Sequence, residues 1–165
     1  MATFNEITSE LSRLIKTKYP RFKDPERIEV VQSVDMANLG YEDCFVIKPE
    51  PYETVLNLSC GKIAHYNFDL IYYKKNHQDE VTDIAAFADA LERYLLAHRH
   101  NIGYWTSFDT ETVFEVEVPE EYEGPLDGFT TSFTFITYVA GDSQTSTQIA
   151  SGMPIGLLLG LTYES

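Results

Sequence analysis

Apolar residues recur every three or four positions at the start of the chain. Phe4, Ile7, Leu11, Leu14 and Ile15 mark one side of a helix. Thr3 and Glu6 have capping-box spacing, and Pro20 disfavours helical geometry at Tyr19, so this helix is expected over about residues 3–19. RFKDPER reads as a turn. RIEVVQSVD then predicts a strand with Ile28, Val30 and Val34 on one face, broken at Gln32. MANLGYED turns the chain, and CFVIK is a short apolar strand that Pro49 and Pro51 end. ETVLNLS and KIAHYNFDLIYYKK predict two further strands joined near Gly61. In the second, Tyr66, Phe68, Leu70 and Tyr72 share a face opposite Asn67 and Asp69. Ile63 is out of phase with that set, which predicts an irregularity near Ala64 and His65.

The period then changes. Val81, Ile84, Phe87, Ala88, Leu91, Leu95 and His98 form a stripe at helical spacing, predicting a helix over about 79–99. Asp79, Glu80 and Asp83 sit in its first turn and Arg93, Arg99 and His100 towards its end, signs that suit the helix dipole. ETVFEVEVP returns to strict alternation, with Phe114, Val116 and Val118 against Glu111, Glu115 and Glu117. After the polar turn EEYEGPLDG, FTTSFTFITYV alternates again. The two segments predict a hairpin with one buried face and one wet face.

From Gly141 the texture differs. GDSQTSTQIASG is small and polar, whereas MPIGLLLGLTYES is apolar and nearly uncharged. Ile155, Leu157, Leu158, Leu159 and Leu161 need burial, on this chain or on a neighbour. The whole pattern predicts an α+β domain over residues 1–140, with a C-terminal extension or arm over 141–165. Its sheet is expected to be mostly antiparallel and packed by the N-terminal helix and the second helix.

Composition narrows the class. At 165 residues, with 44% hydrophobic and 23% charged residues, the chain fits one ordinary globular domain. No apolar run approaches the ~18 residues of a membrane span. MATFNEITSELSRL lacks the basic start and apolar block of a signal peptide, so a cytosolic or assembled soluble protein is expected. Cys44 and Cys60 are too few for a disulfide scaffold and read as reduced thiols.

The net charge of −14 is unevenly placed. All twelve Lys and Arg precede residue 101, and six of them (Arg13, Lys16, Lys18, Arg21, Lys23 and Arg27) fall within residues 13–27. Opposed to them are Asp109, Glu111, Glu115, Glu117, Glu120, Glu121, Glu123 and Asp127. Such a surplus argues against gripping nucleic acid, which requires phosphate neutralisation. It leaves two readings: a solvated acidic face, or a basic end and an acidic end that meet between copies.

Candidate chemistry is sparse. SCGKI has the Gly-Lys of a phosphate loop but neither its preceding glycine nor its following hydroxyl. His-Glu-x-x-His, Gly-x-Ser-x-Gly and Gly-x-Gly-x-x-Gly do not occur. His98 and His100 straddle a helix end with no carboxylate or cysteine at ligand spacing. Glu115 and Glu117, about 7 Å apart on a strand, have the pairing of glycosidase carboxylates but no flanking His, Asn or Arg. Cys60 has no assignable base, and Trp105 in GYWTSF reads as core. No catalysis, cofactor or metal is expected.

The element order is a helix, several strands, YNFDLIYYKKNHQDEVTDIAAFADALERYLLAHRH, then FEVEVPEEYEGPLDGFTTSFTFITYV. That order resembles the small tail-terminator and related minor tail or head–tail connector proteins of long-tailed bacteriophages. The likeness covers residues 3–140, with an acidic, Pro-containing turn at 119–128 before an aromatic-rich last strand at 129–139. The extension after Gly141 falls outside it. The resemblance implies a virion protein of the tail or neck, assembled in the host cytoplasm as a ring, usually a hexamer. Such a ring caps the tail tube, joins it to the head through neck or connector proteins, and passes DNA without specific binding.

In that frame Arg13, Lys16, Lys18, Arg21 and Lys23, together with Ile155, Leu157, Leu158 and Leu159, are expected at subunit contacts. Glu111, Glu115, Glu117, Glu120 and Glu121 are expected on an acidic face, towards the lumen. Two alternatives remain: a head-completion, neck or baseplate adaptor protein, and an acidic dimeric adaptor or chaperone that binds a basic partner.

Overall fold

Helix α1 runs Phe4–Lys18 in the computed structural model, which describes residues 4–75, 81–101 and 107–141. Its predicted stripe is its buried face, with Ile7, Leu11, Leu14 and Ile15 at or below 1% exposure. Tyr19 still donates its N–H to the Ile15 carbonyl, and Pro20 opens a 3₁₀ turn, Pro20–Phe22. That turn drops Phe22 into the core edge-on to Phe45 and Tyr72.

Strand β1 is only Ile28–Val30. The longer strand expected through Val34 is not formed. Ile28 buries on the helix side, whereas Val31 and Val34 join a second cluster with Val46 and Ile71 on the other side of the sheet. The chain changes sides around Gln32, where the alternation breaks.

Strand β2 corrects a second expectation. It is one strand, Asp43–Leu58, running through Pro49 and Pro51 rather than ending at them. The reason lies in its neighbours. Strand β1 pairs only with Phe45, Val46 and Ile47, so beyond Ile47 the outer side of β2 has no strand waiting for an N–H. Pro51 also falls within a register shift between Glu50 and Glu53. That shift, opposite Tyr66, and the next one, between Thr54 and Leu56, flank the paired residues Ala64 and His65. Gly61–Lys75 runs in unbroken register with Leu126–Ala140, so the irregularity expected there falls on β2, and Ile63 simply faces the other side of the sheet.

Strand β3, Gly61–Lys75, is central, pairing with β2 and with β5, Leu126–Ala140. Helix α2, Val81–Ala97, lies within the predicted span and is followed by a 3₁₀ turn, Arg99–Asn101. Strand β4 is Ser107–Val113, earlier than the predicted Glu111 start, and it stops before the Glu115–Glu117 alternation. The sheet order is β1-β2-β3-β5-β4, with β1 parallel to β2 and the other pairs antiparallel. This is the expected α+β architecture.

Both helices pack on one side of the sheet. Phe45, Ile47, Phe68, Leu70, Tyr72, Phe129, Phe133 and Phe135 meet Leu11, Leu14, Leu91 and Leu95 there. The opposite side, the outer face, is covered at one end by residues 31–39 and by a strap, residues 114–125. Val34 and Val116 reach Cys44, Val46, Ile71 and Tyr73 beneath those segments.

Candidate functional site

The basic window is largely satisfied within the chain. Lys16 pairs with Glu26, and Arg13 with Glu10. Arg21 and Arg27 both reach Asp43, each at 3.1 Å, and the Tyr72 hydroxyl donates to the same carboxylate at 2.9 Å. Burial, then the adjacent Asp43 charge, pushes the Tyr72 phenol well above its ordinary range. Lys18 lies over the Tyr94 ring of α2, and Lys23 is exposed after the 3₁₀ turn. The five cations therefore do not form one patch. Arg13 and Lys16 line a shallow groove of about 420 Å³ between α1 and β1, with Ile28 and Val30. Val30, on the β1 edge, is 50% exposed there, and Met36, in the 3₁₀ turn Val34–Met36, is 70% exposed.

Of the acidic residues, Asp109 and Glu111 lie on the opposite edge strand, β4. Glu115, Glu117, Glu120 and Glu121 lie on the strap, which crosses the outer face towards β2 and residue 35. The strap is held down at four points. Thr130 donates to the Glu115 carbonyl at 2.7 Å and Tyr73 to the Glu117 carbonyl. The Asp35 carboxylate accepts the Glu120 N–H at 2.7 Å, and Lys48 binds the Glu117 carboxylate at 3.0 Å. The expected buried face of Phe114, Val116 and Val118 is broken up by this departure from strand geometry. Val116 packs inward, while Phe114 and Val118 are 57% and 51% exposed. These two side chains line a groove of about 360 Å³ with Ile84, Val116, Leu126 and Gly128.

Between the covered end and the β2–β3 turn, the outer face carries a polar belt. Lys48 bridges Glu50 at 3.1 Å and Glu117, and the Glu117 hydrogen bond holds the ammonium above its ordinary pKa. Ser132 donates to Asp69 at 2.8 Å, and Thr134 to the Asn67 side-chain oxygen at 3.0 Å. Burial raises the Asp69 carboxyl above the usual range, against the Ser132 hydrogen bond and reinforced by the charge of Glu50. The Ser132 hydrogen bond and the Lys48 charge offset part of that rise. That arrangement locks side chains across three strands.

Other candidates resolve as follows. His98 bonds the Tyr94 carbonyl at 2.8 Å through Nδ1, so its ring serves the helix end. The Cys60 thiol lies 3.2 Å from the Tyr138 hydroxyl, and Cys44 is a buried free thiol pushed up to about 12 by burial. Among the described residues no group of three or more His, Cys, Asp or Glu is placed to hold a metal ion. No described helix is long and apolar enough to cross a membrane. Thr3, Asp79, Glu80, Trp105, Ile155, Leu157, Leu158 and Leu159 lie outside the described residues.

Sequence reasoning missed Asp43, Lys48 and the exposed apolar pairs at the two edges. The one available signal was Asp43 itself, an acid preceding an uninterrupted apolar run, CFVI. No protein-family model matches the chain, and no curated protein matches it significantly in sequence.

Proposed function

We propose that the chain is a structural subunit that assembles head to tail through the two edges of its sheet, forming the tail-terminator ring of a long-tailed bacteriophage. One observation carries this reading. Strands β1 and β4 are the opposite edges of the sheet. Each carries exposed apolar side chains, Val30 on β1 and Val113, with Phe114 just after it, at the end of β4. The two patches differ in setting: Val30 flanks the groove beside α1, whereas Val113 and Phe114 lie where β4 passes into the strap. They suit a contact between unlike surfaces, which closes into a ring or extends as a filament.

The apolar groups supply the attraction, and the acidic side selects the face that approaches it. Glu111, Glu115, Glu120 and Glu121 remain an acidic surface suited to a lumen through which DNA slides. The reading includes no catalytic step, and it places the protein at the tail or neck of a virion with tail-tube and connector partners.

The test exploits the asymmetry. Val30→Glu spoils one edge and Phe114→Glu the other, and each variant alone is expected to be a monomer. Mixed together, they retain one intact pair of edges and form a one-to-one dimer. Two variants that keep their parent's assembly, or whose mixture stays monomeric, contradict the reading. A symmetric adaptor dimer is the second outcome to separate: it would use one surface twice, so the spoiled copies would not rescue one another.

A further inference from the structure

The outer face has a third zone, beyond the polar belt and near the β2–β3 turn. Ile63 of β3 stands opposite Leu56 of β2 and Tyr138 of β5. Directly opposed residues of antiparallel strands point to the same side, so these three share the outer face, and the two-residue repeat adds Leu58 and Ile136. Leu56 is 50% exposed, and Ile63, Ile136 and Leu58 are half-buried. Tyr138 packs close to Gly61, where an added Cβ would come within 2.9 Å of its ring, and its hydroxyl donates to the Cys60 carbonyl. The segments that cover the outer face elsewhere pack on Val46 and Ile71. Eight residues along β3 separate Ile71 from Ile63, about 27 Å.

We propose that residues 155–161 of the same chain, IGLLLGL, cover this patch. The chain itself leads there. Strand β5 ends at Ala140, and Gly141 donates its N–H to the Cys60 carbonyl at 2.8 Å, at the tip that carries the patch. Residues 142–154 are small and mostly polar, and a thirteen-residue tether reaches at most about 43 Å. Crossing from β5 to β2 takes only two strand spacings, about 10 Å.

Seven uncharged residues follow the tether, five of them Leu or Ile. Being tied so close gives the run an effective concentration in the millimolar range at its own patch, which favours that seat over an equivalent one on a neighbour. The segment lies on the face rather than extending the sheet. Pro49, Pro51 and the two register shifts roughen the outer edge of β2 against strand addition.

This inference is independent of the ring reading, which uses the lateral edges of the sheet. It is tested in the full chain with Cys60→Ser as background. Leu56→Cys combined with Leu158→Cys, or with Leu159→Cys, is expected to form a disulfide within one chain, with denatured mass unchanged apart from the two lost hydrogens. A disulfide between copies, seen when the single-cysteine variants are mixed, would assign the segment to a neighbour and overturn the proposal.

Hydrogen exchange supplies the second measurement. The double change Leu157→Asp with Leu159→Asp is expected to speed exchange across residues 56–63 at least tenfold, leaving residues 68–73 unchanged. Unaltered exchange at 56–63, with no cross-link in either pairing, would equally overturn it. Failure here leaves the Val30→Glu and Phe114→Glu experiment untouched.

Discussion

Asp43 has 6% of its surface exposed between two guanidinium groups and a phenol, joining the turn after α1 to β2 and β3. A carboxylate is tolerated there because both oxygens are occupied. Removing it leaves two cations facing each other with Tyr72 unsatisfied. Asp43→Asn is therefore expected to destabilise the fold by about 3 kcal/mol, read as a lowered urea midpoint with unchanged slope. Gly128 carries a φ of +152°, and a Cβ there would collide with the Tyr72 carbonyl oxygen. Gly128→Ala should cost at least about 3 kcal/mol, the largest loss expected from one added methyl group.

Cys44 gives a pH signature. Its thiol is held from an ordinary 9.0 up to about 12, chiefly by burial. Between those values the folded chain binds more protons than the unfolded one, so stability is full below pH 9 and falls as pH rises towards 12. Thermal unfolding across pH 8–11 should show that decline, and Cys44→Ala should reduce its slope. None of these three roles was legible in the sequence. Asp43 and Tyr72 are 29 residues apart, and only the β2–β3 register, Phe45 opposite Tyr72, brings them together.

At the scale of elements, both helices were legible because an amphipathic stripe fixes a helix locally. The central strands were legible for the same reason, at a period of two. What failed was whatever depends on neighbours. Pro49 and Pro51 end a strand only if something must pair with their missing N–H groups, and nothing in the chain's own alternation says that β1 stops at Val30. Likewise 114–118 alternates as a strand would, yet Tyr73, Lys48, Thr130 and Asp35 pull it over the outer face instead.

That strap yields an element-scale expectation. The Lys48–Glu117 pair is exposed at Glu117 and worth under about 1 kcal/mol. Lys48→Met should thus leave the global unfolding midpoint nearly unchanged while speeding amide exchange in residues 114–121 several-fold. A large global loss, or no local change, would mean that the strap is fastened by its apolar contacts alone.

For the molecule as a whole, the charge division legible in the sequence is real but differently spent. Arg13, Lys16, Arg21 and Arg27 are drawn into pairs with Glu10, Glu26 and Asp43, so the basic window is mainly internal glue. The acidic side keeps most of its charge at the surface. The features that argue for assembly, Val30 and Phe114 exposed at opposite sheet edges, could not be read from composition, because a periodic pattern assigns Phe114 to a buried face.

Reversing Arg13 and Lys16 together is expected to weaken self-association by no more than about tenfold, whereas Phe114→Glu should abolish it. Sedimentation across a concentration series ranks the two. The most direct measurement is the native mass of the full chain at high concentration. The account predicts a closed oligomer, six copies of 18.8 kDa in the hexameric case, in place of the monomer. A single species of 18.8 kDa at every concentration would contradict it.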